Sequence, residues 1–382
     1  MFGSSTWLGD MTIFLVALVV SAAATPLVRK FAVRWRLGDK PNGRKIHPDV
    51  IPHLGGIALL LGVLAGFAIA TGENATVIMK ALPATLLVVA LGLIDDTRNL
   101  AARPKLVVQI VAAAVLVAVG FRLFTGIDAL DSLSIVAGLV SLLFIVGMLS
   151  SVNLIDGHDG LAAGVALIAS GAFVVIGVMD GAAGVVAGSL AISGACLGFL
   201  LFNFPPARIY MGDTGSMLLG LMLAQVACLI TMRSFTVNNF AAVMLVLGVP
   251  ILDTLLAVAR RIVLRAPLFA ADHLHIHHVL RDSGLSPRKT LLVLYGLQLV
   301  LAGLGIGAAT GRALPVIAGL GVLTTAFVWF LRAMVEGRAV EARTAETIVP
   351  QPVAVHAAAA PIAFQSNFSP TNLAERHSSV GR

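Results

Sequence analysis

Long apolar segments recur along this chain, and they constrain its fold more than any other sequence feature. A helix needs about 20 apolar residues to cross a bilayer, and in lipid a helix satisfies its own backbone hydrogen bonds. The apolar pattern predicts eleven spans, over residues 11–28, 54–70, 78–94, 106–121, 133–150, 162–179, 183–202, 215–232, 239–259, 290–310 and 313–331. The sequence therefore predicts an all-α, polytopic integral membrane protein.

The charged residues support this interpretation and orient it. They make up 12% of the chain, whereas soluble domains carry about 25%. Of the 26 Lys and Arg residues, 22 fall in alternate loops and the C-terminal tail. Positive residues favour the cytoplasm, so we expect these loops inside, the N-terminus outside and the C-terminus cytoplasmic in the plasma (inner) membrane. The net charge of +7 thus indicates topology and contact with membrane lipids, and no nucleic-acid partner is predicted.

The sequence predicts two regions of unequal character. Residues 1–335 form the membrane-embedded domain. Residues 336–382 are rich in Ala, Pro, Ser and Thr, lack a sustained apolar face, and are predicted to be a disordered cytoplasmic tail.

Acidic residues lie where apolar segments end, all on the predicted cytoplasmic side. Asp95 and Asp96 are adjacent at the end of the third span, so their repulsion favours a bound cation or a proton. The pair could bind a metal, one member could act as general base, or both could be a solvated helix end paired with Arg98.

A second acidic loop runs from Asn153 to Leu161 and contains Asp156 and Asp159, three residues apart. On a helical turn that spacing puts both carboxylates on one face. The loop has no Lys or Arg, which points to a cation or to donors on a ligand. A plain polar turn is the alternative.

Asp213 lies near the predicted start of the eighth span. That is an ordinary helix-capping position. The other carboxylates nearby make a metal-ligand role the stronger expectation, and together they suggest a magnesium site for phosphate chemistry.

Histidines mark the fifth cytoplasmic loop, at His275, His277 and His278, after Arg265. Such a cluster could hold zinc, but no cysteine accompanies it, and imidazoles can also bind a diphosphate. Asp253 is expected to be a buried ion-pair partner. The first loop carries Arg44, Lys45 and His47 and is followed by Gly55-Gly56, which would let an anion or a second helix approach closely.

Together these segments resemble the bacterial polyprenyl-phosphate N-acetylhexosamine-1-phosphate transferases over about residues 10–332. The resemblance rests on motifs in family order: Arg44-Lys45-Ile46-His47, Gly55-Gly56, Asp95-Asp96, Arg103 to Gln109, Asn153/Asp156/Asp159/Leu161, Asp213, and His275/His277/His278.

The resemblance implies a reaction. A polyprenyl phosphate attacks the sugar-bearing phosphate of a UDP-N-acetylhexosamine, giving polyprenyl-diphospho-sugar and UMP. It also implies Mg²⁺, with Mn²⁺ as a substitute, and a homodimer is possible. The implied metal ligands are Asp213, Asp95, Asp96 and Asp156. The implied catalytic residues are Asp95, Asp96, Asp156, Asp159 and His278. The implied substrate-binding residues are Arg44, Lys45, His47, Lys105, Asn153, Arg265, His275 and His277.

Some positions depart from the family pattern. His53, His158 and His273 stand where other residues are usual, which puts the donor's identity and the pH dependence in doubt. Phospho-MurNAc-pentapeptide transferases usually carry three consecutive histidines. Here Ile276 interrupts the run and favours the aminosugar branch, with GlcNAc the expected sugar and phospho-MurNAc-pentapeptide transfer the alternative. A transporter or a non-enzymatic scaffold would not need polar motifs in five loops on one face.

Overall fold

The computed structural model describes residues 4–35, 51–69, 73–124, 134–233, 235–263, 265 and 275–347. These residues are helical almost throughout. The helices are α1 (Ser4–Arg34), α2 (Gly55–Ala68), α3 (Glu73–Arg98), α4 (Ala102–Ala118), α5 (Ser134–Ile155), α6 (Leu161–Met179), α7 (Ala183–Asn203), α8 (Gly212–Arg233), α9 (Val237–Val246), α10 (Gly248–Val263), α11 (Ile276–Asp282), α12 (Pro287–Ala309) and α13 (Ala313–Thr347).

The predicted class, an all-helical multi-pass membrane protein, is confirmed. In the described part, eight helices are long and apolar enough to cross a membrane, or nine if α9 and α10 count as one span bent by 79°. The exact count of eleven is not confirmed. Two predicted spans correspond to shorter helices, since α2 has 14 residues and α4 has 17. At 1.5 Å per residue, α2 is only about 21 Å long.

Helix α8 lies at the centre of the bundle. Nearly all its residues from Gly212 to Thr231 are buried, and it packs against α3 and α5 in particular. Around this centre, α1 packs on α2 and α7, α6 packs on α7, and α9 packs on α12. Side chains on the outside, such as Leu15, Leu143 and Leu299, are large, apolar and exposed. An apolar exterior suits a protein whose solvent is lipid.

One end of the bundle collects the polar helix termini. The last residues of α3, α5 and α7 meet the first residues of α2, α4, α6 and α8 there, as the contacts below establish. Glycine makes the closest approach possible, because a Cβ on Gly56 would lie 2.3 Å from the Gly215 backbone nitrogen. The predicted gathering of acidic loops on one side therefore has a structural basis.

The chain divides into two compact units, Met1–Gly337 and Arg338–Arg382, and the site lies in the first. Helix α13 continues to Thr347, beyond the predicted end of the last span at residue 331. The boundary at residue 335 and the disorder of the tail stay predictions.

Candidate active site

The acidic cluster consists of Asp95, Asp156 and Asp213, with Lys105 beside it. Lys105, in the first turn of α4, donates to Asp213 Oδ2 at 2.7 Å and pairs with Asp95 Oδ2. Burial tends to lower the pKa of Lys105, but its hydrogen bonds to Asp213 and Asp95 outweigh that effect and raise the pKa. The lysine is therefore a permanent cation that offsets part of the cluster's negative charge.

Asp95 pairs with Lys105 and also bonds to the connection between α3 and α4. It is 3% exposed at the end of α3, and its Oδ1 accepts a hydrogen bond from the Leu100 backbone nitrogen at 2.6 Å. This bond fixes the short connection that leads into α4. Asp95 thereby holds Lys105 close to Asp213.

Asp96 caps helix α8 from outside that helix. Its Oδ1 accepts from the Asp213 backbone nitrogen at 2.7 Å. Its Oδ2 accepts from the Thr214 backbone nitrogen at 3.1 Å and from Thr214 Oγ1 at 2.6 Å. These are the unpaired donors of a helix N-terminus, which favour a negative partner. Capping was the alternative considered for Asp213, but the structure shows Asp96 in that position, with both oxygens engaged.

The acidic loop, residues 156–160, contributes Asp156 to this cluster. The negative charges of Asp213, Asp96 and Asp159 all act on Asp156, and the Asn153 amide contacts Asp213. Burial, followed by these charges, raises the pKa of Asp156 well above its usual value. Among the described residues no cation pairs with Asp156, so the loop adds negative charge that Lys105 does not offset.

Backbone contacts fix the shape of the acidic loop. Asp159 Oδ2 accepts from the Ala207 backbone nitrogen at 2.9 Å. Asn203, the last residue of α7, accepts from the Gly160 nitrogen at 3.0 Å and donates to the Ile209 carbonyl at 2.9 Å. Gly160 has φ +74°, a left-handed conformation that glycine adopts without a steric penalty. Asp159 thus ties the loop to the segment before α8. Asn203, which the motif analysis did not single out, holds the same loop from α7.

The histidine cluster comprises His275, His277 and His278 together with His158 of the acidic loop. The rings of His277 and His278 are 4.2 Å apart, and those of His158 and His277 are 6.0 Å apart. His158 and His277 are buried, and their Nε2 atoms have no partner among the described residues. Two buried imidazole nitrogens therefore remain for a ligand or water.

His277 contacts the acidic loop directly. A Cβ added to Gly157 would lie 2.9 Å from His277 Nε2, so a glycine is needed where the ring approaches. Burial, and then the neighbouring His278, lower the pKa of His277 to about 3. The ring is consequently neutral near pH 7 and offers one N–H donor, which decides between the neutral and protonated forms that the sequence left open.

Asp253 holds the start of the histidine helix. It is 2% exposed in α10, and its Oδ1 accepts from the Ile276 backbone nitrogen at 2.8 Å. Its Oδ2 accepts from His275 Nδ1 at 2.8 Å. Asp253 was expected to be the buried partner of another group, and the structure shows that this group is His275.

The Gly55-Gly56 pair serves helix packing. The Gly55 nitrogen donates to the Tyr210 carbonyl at 3.0 Å, and the Gly56 nitrogen donates to the Met211 carbonyl at 2.8 Å. Both amides are thus used within the protein. Of the two predicted uses, the structure supports the close approach of a second element.

The remaining predicted residues are Arg265 and the three residues of the first loop. Arg265 is exposed, and in the described part its side chain makes no hydrogen bond or ion pair with the acidic cluster. Arg44, Lys45 and His47 lie outside the described residues. Their predicted roles are untested.

The acidic cluster suits a hard divalent cation. Within the described residues no three His, Cys, Asp or Glu side chains converge on one point. Magnesium needs no such cage, because it keeps water ligands and takes one or two carboxylates together with substrate phosphates. Oxygen donors, an excess of negative charge and Asp156 without a cation meet that requirement.

A cleft of about 550 Å³ opens beside the acidic loop. It is large enough for part of a small-molecule substrate. Its walls combine the acidic loop with the segment before α8, the end of α11 and the start of α12, including His158, Asp159, Tyr210, Arg281 and Arg288.

Comparisons with known proteins place the chain in a family. The family model "Glycosyl transferase family 4" matches residues 78–231. A probable undecaprenyl-phosphate N-acetylglucosaminyl 1-phosphate transferase of Bacillus subtilis is 37% identical over 287 residues, covering 74% of this chain and 80% of the relative. A decaprenyl-phosphate N-acetylglucosaminephosphotransferase of Mycobacterium leprae is 35% identical over 316 residues, covering 74% and 79%.

A phospho-N-acetylmuramoyl-pentapeptide-transferase of Geobacillus kaustophilus is 32% identical over 316 residues, covering 77% of this chain and 94% of the relative. The chain therefore belongs to glycosyl transferase family 4. The family resemblance drawn from the motifs is confirmed.

Proposed function

We propose that this protein transfers N-acetylhexosamine-1-phosphate, with GlcNAc as the sugar, from a UDP-sugar to a polyprenyl phosphate. The products are polyprenyl-diphospho-sugar and UMP. The observation that carries the proposal is the pairing of Asp95 and Asp213 with Lys105 at one end of a membrane helix bundle, with Asp156 close enough to Asp213 for their charges to interact. The names of the relatives at 35–37% identity support the same substrates.

In this reaction a lipid phosphate oxygen attacks the sugar-bearing phosphorus, and the bond to the UMP oxygen breaks. One phosphoanhydride replaces another, so catalysis consists mostly of positioning and charge neutralisation. The membrane bundle brings the lipid substrate to the same end at which the acidic loop and its cleft can receive the nucleotide sugar.

Asp213 and Asp95 are the residues that would hold Mg²⁺, and Asp156 lies close enough to add its negative charge to the site. When bound, the ion would neutralise negative charge on the diphosphate, and Mn²⁺ is expected to substitute for it. Asp96 is left out of this set because three hydrogen bonds already occupy its oxygens. Its contribution is to hold the start of α8, and with it Asp213, in place.

The other groups act on protons and phosphate oxygens. Asp156, with its raised pKa, is suited to take a proton from the lipid phosphate, whose second pKa is about 6. Lys105 is a cation within reach of any phosphate oxygen that enters between Asp95 and Asp213. Neutral His277 can donate one hydrogen bond to the diphosphate, and His278 beside it completes that side of the site.

The assay uses purified protein in lipid nanodiscs with undecaprenyl phosphate, Mg²⁺ and one nucleotide sugar at a time. UDP-GlcNAc should give UMP and lipid diphospho-GlcNAc in equal amounts, measured by chromatography and mass analysis. Release of UDP would contradict the proposal, because it would mean transfer of the sugar without its phosphate.

The same assay tests phospho-MurNAc-pentapeptide transfer as the second candidate. The relative at 32% identity keeps that reaction under consideration, whereas Ile276 within the histidine run favours the aminosugar branch. Activity with UDP-MurNAc-pentapeptide alone would reverse the assignment.

The proposal also requires the site to face the cytoplasm, where nucleotide sugars are made. Cysteine introduced at Ser283, beside the site, should react with an impermeant reagent only after the cells are opened. Cysteine at Asn74, in the first turn of α3, should react in intact cells. Cys196 and Cys228 are both buried, so the background should be low. The opposite labelling pattern would refute the proposed orientation.

A further inference from the structure

A tyrosine from α12 reaches the acidic loop through a gap in α6. Tyr295 Oη donates to the Gly160 carbonyl at 2.6 Å. The ring crosses α6 at Gly164, where an added Cβ would lie only 1.8 Å from Oη and 2.0 Å from Cζ. Any residue larger than glycine at 164 would occupy the space that the phenol uses.

The same contact lies at the pivot of the acidic loop. Gly160 is the last loop residue before α6 and is left-handed, with φ +74°. Its nitrogen is held by Asn203 at 3.0 Å, and its carbonyl is held by Tyr295. The nitrogen and the carbonyl of Gly160 therefore both make hydrogen bonds to other helices. These bonds fix the direction in which residues 156–159 lead into α6.

Helix α12 also holds the facing segment. Arg288, in its first turn, donates from Nε to the Pro205 carbonyl at 3.2 Å. Leu291, one turn later, would lie 3.4 Å from a Cβ on Gly160. Two turns of α12 thus contact both the loop that carries Asp156 and the segment that leads to Asp213.

We propose that Tyr295 is a positioning residue that sets the acidic loop through its hydrogen bond to the Gly160 carbonyl. The inference rests on the proposed function for its effect on turnover, but not for the contact itself. Loss of the phenol hydroxyl leaves the Gly160 carbonyl with only the bond from the Gly164 nitrogen at 2.9 Å, which lies within the start of α6. The tie from α12 to the loop is then lost, so the loop samples other directions and Asp156 loses its fixed distance from Asp213. Misplacement by about 1 Å can reduce a rate by about 100-fold.

The test compares Tyr295→Phe, which removes only the hydroxyl, with Ser170→Ala as a matched control. Ser170 is on the same helix α6, and its hydroxyl makes a buried 2.7 Å bond to Ser193, away from the acidic loop. Each variant loses one hydroxyl group that makes hydrogen bonds inside the bundle. They are compared in nanodiscs by kcat, by KM for UDP-GlcNAc, and by hydrogen exchange of the peptide covering residues 156–163.

Tyr295→Phe should lower kcat about tenfold or more with KM within about twofold, and it should speed exchange in that peptide. Ser170→Ala should change neither. Gly164→Ala, which displaces the phenol from the other side, should reproduce the loss, and Gly164→Ala with Tyr295→Leu should restore thermal stability but not kcat.

Equal kcat and equal exchange in Tyr295→Phe and Ser170→Ala would overturn the inference. Restored turnover in the double variant would do the same, because it would show that the tyrosine only fills space. If the unmodified protein releases no UMP from any UDP-sugar, the proposed function fails, and the exchange comparison still decides whether Tyr295 sets the loop.

Discussion

The substitution Asp96→Asn separates a capping role from a chemical role at the Asp-Asp pair. Asparagine keeps one oxygen and replaces the other with an NH₂ group that cannot accept a hydrogen bond. At best the remaining oxygen keeps the bonds from Thr214. The NH₂ group then replaces Oδ1, which in the native protein accepts a hydrogen bond from the Asp213 backbone nitrogen at 2.7 Å, and that bond is lost.

The size of the effect follows from those contacts. A hydrogen bond to a charged group contributes about 1.5–3 kcal/mol, and a negative charge at a helix N-terminus adds about 0.3–1 kcal/mol. We therefore expect Asp96→Asn to lower the free energy of unfolding by about 2–4 kcal/mol. Transfer activity should fall at the same time, because the start of α8 carries Asp213.

Asp213→Asn is the informative comparison. The Asp213 carboxylate is 29% exposed and pairs with Lys105, so losing its charge should change stability by about 1 kcal/mol or less. Yet it should abolish transfer at every Mg²⁺ concentration, since that charge is needed to hold the cation. One variant should thus lose stability and activity together, whereas the other should lose activity alone.

The measurement is thermal unfolding in nanodiscs alongside UMP release. Thr97→Val is the control, because Thr97 is exposed on the same helix and its hydroxyl bonds only within that helix. An inactive Asp96→Asn protein with an unchanged unfolding midpoint would refute the capping argument and return Asp96 to the chemistry. Near-normal turnover of Asp213→Asn would remove Asp213 from the proposed metal site.

Three further predictions test other contacts. Asp253→Asn should lower both stability and turnover, because it weakens the hold on Ile276 and His275; unchanged turnover in the same UMP assay would argue against a role for α11. Gly56→Ala should destabilise the bundle by about 1–3 kcal/mol or more, since its Cβ would meet Gly215, whereas Gly171→Ala, with open space around it, should not; equal unfolding midpoints would contradict this packing. Folding lowers the pKa of His277 from its ordinary value of 6.5 to about 3, so the unfolded chain binds a proton first and the stability of the fold falls as pH drops below about 6.5. Between pH 7 and pH 5, the unfolding midpoint of His277→Gln should therefore fall less than that of the unmodified protein. An equal fall would contradict the neutral ring.

Much of this fold and site could be predicted from sequence because both depend on local patterns. Apolar segments of about membrane length predict helices in lipid, and the carboxylates at their ends indicate where a site can form. The motif order identified the family. Span count was harder, because α2 and α4 are short helices within long apolar segments, and apolarity alone does not mark where a helix starts.

The roles of individual residues depend on contacts that are distant in the chain. Capping of α8 by Asp96 joins residues 117 positions apart, and no spacing rule in one sequence indicates it. Tyr295 and Asn203 belong to none of the recognised motifs. Glycine at position 164 is needed for Tyr295 to pass α6, but the sequence alone does not show this. Asp253 could be recognised as needing a partner, since a buried carboxylate rarely stands alone, but His275 could not be chosen without the bend at α9 and α10.

Helix α10 has two different faces. One face carries the exposed apolar side chains of Leu255, Val258 and Ile262, while Asp253 on the opposite face bonds to His275 and to the start of α11. Because α10 follows a 79° bend, it leaves α9 in a new direction and packs on α5 and α12. The placement of His275 therefore depends on how this bent helix pair packs, as well as on the loop that precedes the histidine.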